Sequence, residues 1–336
     1  MQNPFGGRQP IGVIYNTSMS RPDAALALAE LYAFQGKRES RMGAVCVAGA
    51  GLKTAVFCDI VARFFTPGQN PNANSALPVG LAAVDPLPPD PPFVLPALER
   101  KTPEGQAQYS TTIRRVADTS LAEAVLRNGV IFNAESVVVL SAPATYLARS
   151  LDLLGTKELY KERVKRLVIV DSGAPQQDVA ALRKVLAEWP GPIFFCGHEV
   201  GEALPFPGAS ITNEFAWAEA HPVVDAYRAF KALPYDAPSH DLAAAHYAVH
   251  PDSGFFQLSD PGSVVVADDG TLKFVPGAGK IRSLRPDMAQ KDKIVQAMVD
   301  MASTKPVQPV RFQRPSTANA QQKAADEPKP PAKKDQ

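Results

Sequence analysis

The sequence predicts an α/β fold, an open doubly wound, mostly parallel sheet with helices on both faces, plus a C-terminal antiparallel hairpin. Three observations point there. Runs such as Ser136-Val137-Val138-Val139-Leu140 and Arg166-Leu167-Val168-Ile169-Val170 are continuously apolar rather than alternating, as in strands covered on both faces. Stretches rich in helix formers separate these runs, so successive strands are joined by helical crossovers and lie parallel. Late in the chain the turn Asp268-Asp269-Gly270 divides two β-rich segments, residues 263–267 and 271–275, as a hairpin requires.

In order along the chain, residues 11–15 form a short apolar run, followed by a polar loop and a helix-forming segment at 23–31. Residues 42–48 repeat the strand pattern and 54–65 the helical one. Leu77-Pro78-Val79-Gly80-Leu81 opens a third unit. Residues 85–96 hold six prolines, which fix φ and lack an amide donor, so this stretch is predicted to be an extended surface loop. A crossover is the plainer reading of it, and a proline-rich ligand for a partner domain is the other. The strand runs at 136–140, 166–170 and 192–196 complete the pattern. One domain is expected over residues 1–302. From 303 to 336 the composition turns to Pro, Lys, Gln, Ala and Asp, which predicts a disordered tail.

Composition narrows the function. Thirty-five basic residues stand against 34 acidic ones, so no electrostatic footprint points to nucleic acid or to an anionic membrane. No apolar run reaches the roughly 18–20 residues that cross a bilayer. Residues 1–8 lack a basic segment followed by a long apolar stretch, so no signal peptide is expected and the cytoplasm is the expected compartment. Cys46, Cys58 and Cys196 have no CxxC spacing and read as buried free thiols of a reducing compartment.

Several landmarks then occur in a fixed order. The first apolar run leads into Asn16-Thr17-Ser18-Met19-Ser20-Arg21-Pro22-Asp23-Ala24, and the second ends in Val47-Ala48-Gly49-Ala50. Ala142-Pro143-Ala144-Thr145-Tyr146-Leu147-Ala148 comes next, followed by the strand running into Asp171-Ser172-Gly173-Ala174. Trp189-Pro190-Gly191-Pro192-Ile193, Gly197-His198-Glu199-Val200-Gly201 and Ser239-His240-Asp241-Leu242-Ala243 close the series. Over roughly residues 10–301 the chain resembles the inosine/uridine-preferring nucleoside hydrolase family, as a divergent member. The family opens with Asp-x-Asp-x-x-x-Asp-Asp-Ala, ends its second strand in Val-Ala-Gly-Asn, and carries a late His-Asp pair at a helix start.

That resemblance implies hydrolysis of the N-glycosidic bond of ribonucleosides around a calcium ion. Calcium takes six to eight oxygen ligands and is held according to their charge. It binds the sugar hydroxyls and a water whose proton passes to a loop aspartate. Carried over by position, the implied metal ligands are Asp23, Asp241, the backbone carbonyl of Ser141, and Ser18, which stands where the family has its aspartate base. The resemblance also implies His240 as the acid for the leaving base and Asn16 as a substrate-binding residue. A nucleoside ligand and a homo-oligomer are the implied partners.

The alterations fall on the chemistry. Serine at 18 brings calcium no negative charge and is no base near neutral pH; loss of a general base costs about 10²- to 10⁴-fold in rate. Pro22 and Ala50 replace residues that grip the ribose. The segment Ala174-Pro175-Gln176-Gln177-Asp178 is too short for the family's Glu-Phe-Asn, and Asn213-Glu214-Phe215 comes too late to replace it. The expected function is therefore a nucleoside hydrolase-like protein with reduced or lost activity, or a non-catalytic binding or scaffold module on the same fold.

Other constellations have plainer readings. Ser239-His240-Asp241 would also cap a helix. His246 and His250 have a zinc-like spacing but no HExxH signature. Gly49-Ala50-Gly51-Leu52-Lys53-Thr54 echoes a phosphate loop without the Walker spacing. Cys196 could be a nucleophile near His198, yet its apolar run reads as core.

Overall fold

The computed structural model describes residues 9–67, 78–174 and 176–307. Residues 1–8, Leu77, Pro175 and the 308–336 portion of the predicted disordered tail lie outside the described residues.

The chain begins β1 (Ile11–Thr17), α1 (Pro22–Gly36), β2 (Ser40–Val47), α2 (Leu52–Phe65) and β3 (Val79–Leu81). Then come α3 (Leu95–Glu99), β4 (Ser120–Leu121), α4 (Ala122–Ile131), β5 (Ser136–Ser141), α5 (Thr145–Ser150), α6 (Thr156–Arg163) and β6 (Val164–Val170). After α7 (Val179–Glu188), β7 (Ile193–Cys196), α8 (His198–Ala203), α9 (Gly208–Asn213) and α10 (Pro222–Phe230) comes α11 (His240–Val249). The last elements are β8 (Phe256–Leu258), β9 (Gly262–Val266), β10 (Leu272–Pro276), β11 (Arg282–Pro286) and α12 (Lys291–Ala302).

Nine strands form one sheet in the order β4-β3-β2-β1-β5-β6-β7-β11-β8. All neighbours are parallel except the edge pair, where β8 runs antiparallel to β11. The predicted hairpin is present as β9 and β10, with Val266 opposite Leu272. The middle of the sheet is buried on both sides because its central strands carry consecutive apolar residues. Val13 and Tyr15 of β1 join one core cluster and Ile14 the other, and Val137/Val139 and Val138/Leu140 of β5 divide the same way.

Two helices on the first face are buried nearly all round. Pro22 through Phe34 of α1 and every residue of α11 are buried, as expected for helices apolar on all sides. They pack against each other. Their first turns carry Asp23 and Asp241, and this packing brings the two together.

The structure corrects the sequence expectation at two places. The proline-rich stretch is not wholly a surface loop: Pro92–Val94 forms a 3₁₀ turn leading into α3, and Phe93 and Val94 are buried. Proline suits such a helical first turn because its missing amide would have had no partner there. The short strands β4, β8 and β11 have no counterpart in the apolar runs, because strands at or next to an edge need no two-sided apolar pattern.

Candidate functional site

The site lies beyond the carboxyl ends of β1 and β5. Thr17 is in register with Ser141, so the two strands leave the sheet together. The Ser18 amide donates to the Ser141 carbonyl at 3.2 Å, and the Ser18 hydroxyl lies 3.5 Å from the same oxygen. Met19 then turns the chain toward α1 in a left-handed conformation (φ 48°), its amide held by the Thr17 hydroxyl at 2.9 Å. A bulky residue rarely adopts that conformation, which here costs on the order of 1–3 kcal/mol and is held by the surrounding packing.

The four residues implied as metal ligands lie within one hydrogen-bonded cluster. Asp23 accepts the Asp241 backbone amide on Oδ2 at 2.8 Å. Asp241 accepts the Ser141 hydroxyl on Oδ1 at 2.6 Å and the Tyr15 phenol on Oδ2 at 2.5 Å. Asp23 Oδ1 is buried without a hydrogen-bond partner; its nearest cation is Arg21, whose Nε lies 3.8 Å away. Arg21 also reaches the Ser172 carbonyl at 3.5 Å, so it spans from the first loop to the end of β6.

Burial dominates the electrostatics. It raises the Asp23 carboxyl above its ordinary range, and the neighbouring Asp241 charge raises it further. Burial also raises Asp241, opposed by the hydrogen bonds from Ser141 and Tyr15. The Tyr15 phenol is pushed well up by burial and then by Asp241, so it remains a donor. Two buried carboxyls this close do not both ionise without a strong counter-charge.

Asn16, expected to touch substrate, is turned into the sheet instead. It is fully buried, its amide nitrogen donating to the Val139 carbonyl at 2.7 Å and its oxygen accepting the Tyr146 hydroxyl. With both ends of the amide used internally, it cannot reach a ligand without breaking core hydrogen bonds.

His240, expected as an acid, is fully buried, and burial holds its imidazole down at about 3, so the ring is neutral near pH 7. Its Nε2 lies 3.0 Å from His198 Nδ1, and the two rings stack at 4.9 Å and 11°. Two glycines make this stack sterically possible. A Cβ on Gly201 would fall 2.4 Å from the His240 ring, and one on Gly173, whose φ is +78°, 2.7 Å from the His198 ring. Ser239 is the residue before α11, but its side chain makes no cap hydrogen bond.

The other sequence candidates separate cleanly. His246 pairs with buried Glu30 at 2.7 Å and His250 with Glu39 at 2.9 Å, so each of these histidines has its own acid. The phosphate-loop echo is occupied by protein: Asp90 accepts the Lys53 and Thr54 amides and the Thr54 hydroxyl at 3.2, 2.8 and 2.7 Å, leaving a carboxylate where an anion would sit. Cys196 is core, its thiol pushed well up by burial.

Tyr15, Tyr146 and Arg21 carry roles that the sequence did not disclose. A tyrosine inside an aliphatic strand reads as core, and its one further signal is that a buried phenol must find a partner. The hollow at these strand ends, lined by Ser18, Ser20, Ser141, Pro143, Ser172 and Gln177 among others, measures about 70 Å³. Small-molecule pockets run to roughly 300–1,000 Å³. Among the described residues no helix is long and apolar enough to cross a membrane.

By sequence, no protein-family model and no curated protein matches the chain. By structure, it is similar to an inosine-guanosine nucleoside hydrolase at 13% identity and a TM-score of 0.61, covering 87% of this chain and 98% of that one. An inosine-uridine preferring nucleoside hydrolase from Bacillus anthracis matches at 16% identity and a TM-score of 0.62, over 86% and 99% of the two chains. A plant nucleoside hydrolase matches at 16% and 0.60, over 88% and 99%. The chain thus has the nucleoside hydrolase α/β fold.

Proposed function

We propose that this chain uses the nucleoside hydrolase fold without calcium-dependent hydrolysis, as a non-catalytic binding or scaffold module. One observation carries the reading: both carboxylate oxygens of Asp241 accept hydroxyl hydrogen bonds from within the protein, from Ser141 and Tyr15. Those bonds take up part of the lone-pair capacity that calcium's six to eight oxygen ligands would draw on. The Ser141 carbonyl is likewise engaged by the Ser18 amide. The set is poor in charge for calcium: Ser18 and Ser141 bring none, and both oxygens of Asp241 already accept hydrogen bonds.

The rest of the chemistry agrees. Ser18 is no base, Pro22 and Ala50 offer no side-chain hydrogen bond to a ribose, and neutral, buried His240 is poorly suited to protonate a leaving base. The hollow of about 70 Å³ is small for a nucleoside.

A weakened nucleosidase is the second reading, favoured by the buried Asp23 Oδ1, which has no hydrogen-bond partner. Calcium calorimetry on the full chain, run beside assays of ribose release from inosine, uridine, guanosine and adenosine, separates the two. The scaffold reading expects neither binding nor turnover. Micromolar calcium binding together with turnover lost in Asp23→Ala would sink it.

A further inference from the structure

The two stacked histidines raise a separate question, because a carboxylate sits beside them. Glu202 Oε1 lies 3.8 Å from His240 Nε2 and 3.7 Å from His198 Nε2. One nitrogen from each ring and one Glu202 oxygen fall within 4.8 Å of one another, a grouping of three found among the described residues at this place. His198 and Glu202 are four apart on α8 and so share a face, while His240 begins α11. We propose that His198, Glu202 and His240 form a binding site for a zinc-class divalent transition-metal ion.

Distance supports this assignment. With metal–ligand bonds of about 2.0–2.2 Å, neighbouring ligand atoms of a tetrahedral centre sit about 3.3–3.6 Å apart. The carboxylate contacts of 3.7 and 3.8 Å are too long for hydrogen bonds yet close to that spacing. Small side-chain shifts would close the gap, since His198 and Glu202 are 45% and 50% exposed. His240 supplies the rigid member, fully buried, with its Nε2 facing the other two.

Chemistry selects the ion class. Two imidazoles and one carboxylate suit zinc or ferrous iron and are poor ligands for calcium or magnesium, which want oxygen. Asp171 stands close enough to His198, and to Glu199, for their charges to interact, which adds negative charge beside the cluster. Three protein ligands leave a fourth position open for water or a small anion. The site adjoins the Asp23–Asp241 cluster through the consecutive residues His240 and Asp241 but uses none of its side chains, so it does not depend on the scaffold reading.

The test uses tag-free full-length protein, stripped with chelator and titrated with zinc against a chromophoric competitor. One equivalent should bind at micromolar affinity or tighter, with excess calcium or magnesium failing to displace it. His198→Ala and Glu202→Gln, both at partly exposed positions, should each weaken binding at least tenfold while circular dichroism stays unchanged. His250→Ala, remote from the cluster, should leave binding intact. Cobalt in place of zinc should give the intense visible bands of a four-coordinate centre, and these should vanish in His198→Ala. Absence of binding, or binding that survives both cluster variants, overturns the assignment. Calcium binding with nucleoside turnover by the same protein would refute the scaffold reading and leave this one standing.

Discussion

The Tyr15 phenol donates to Asp241 Oδ2 at 2.5 Å, joining residues 226 apart in sequence. Tyr15 sits in an interior strand and Asp241 in the first turn of a fully buried helix, so one hydrogen bond fastens sheet to helix at the strand ends.

Tyr15→Phe removes that donor and leaves a buried carboxyl oxygen unpaired. The expected loss is about 1–3 kcal/mol of unfolding free energy, the usual penalty for a stranded buried polar group. Urea unfolding measures it, and an unchanged midpoint would mean that the bond contributes nothing net.

Asp23→Asn distinguishes a closed carboxyl cluster from a calcium site. In the folded chain the Asp23 carboxyl is raised by burial and by Asp241, so the native state holds its proton more tightly than the unfolded state does. Such a group stabilises below the ordinary carboxylate pKa and loses that contribution as pH rises through its folded value. The amide cannot ionise and keeps an acceptor for the Asp241 amide. The variant should therefore match or exceed the parent in melting temperature at about pH 8, and added calcium should shift neither protein.

His221 should make the fold acid-sensitive. Its ring is buried among Phe64, Phe215 and Trp217 at 4.5, 5.1 and 5.5 Å, its Nδ1 accepts the Val223 amide, and its Nε2 has no hydrogen-bond partner. Burial lowers its pKa to about 3, so from the ordinary value near 6.5 downward the unfolded chain binds a proton that the native chain refuses. Stability falls with falling pH across that window. His221→Asn keeps an N-cap acceptor without titrating, and should flatten the slope by about one proton. Unfolding free energies between about pH 4 and pH 7 read it directly.

Gly201→Ala should be among the worst small substitutions in the chain. The added carbon would lie 2.4 Å from the His240 ring and 2.7 Å from its backbone nitrogen. Relief requires α8 and α11 to separate, so a loss at or above about 1–3 kcal/mol is expected. Differential scanning calorimetry tests it, and a shift within error would show that the helices can move apart freely.

Much of the fold was legible because its determinant is local. β5, β6 and β7 are apolar at nearly every position, which leaves little choice but a two-sided parallel sheet, and Asp268-Asp269-Gly270 located the hairpin to within a residue. β4, β8 and β11, short and at or near an edge, left no such mark. At the site, the gathering of Ser18, Asp23, Ser141 and Asp241 was anticipated from the family landmarks. Their hydrogen-bond partners were not, since Tyr15 and Tyr146 look like core residues until the fold reveals what their hydroxyls meet. The inward turn of Asn16 was not legible for the same reason: a polar side chain at a strand end can turn inward when a buried tyrosine waits there.

The cluster joining Tyr15, Asp23, Ser141 and Asp241 also sets an order of events during synthesis. The first strand and helix leave the ribosome early, yet the Asp241 amide and carboxyl that meet Asp23 and Tyr15 belong to a helix made more than two hundred residues later. Until then the nascent chain carries apolar α1 without α11 to cover it. Long-range closures of this kind fold slowly and leave sticky surfaces exposed in the interval. A protein built this way has reason to depend on chaperones, and a fragment ending before residue 240 would aggregate rather than fold.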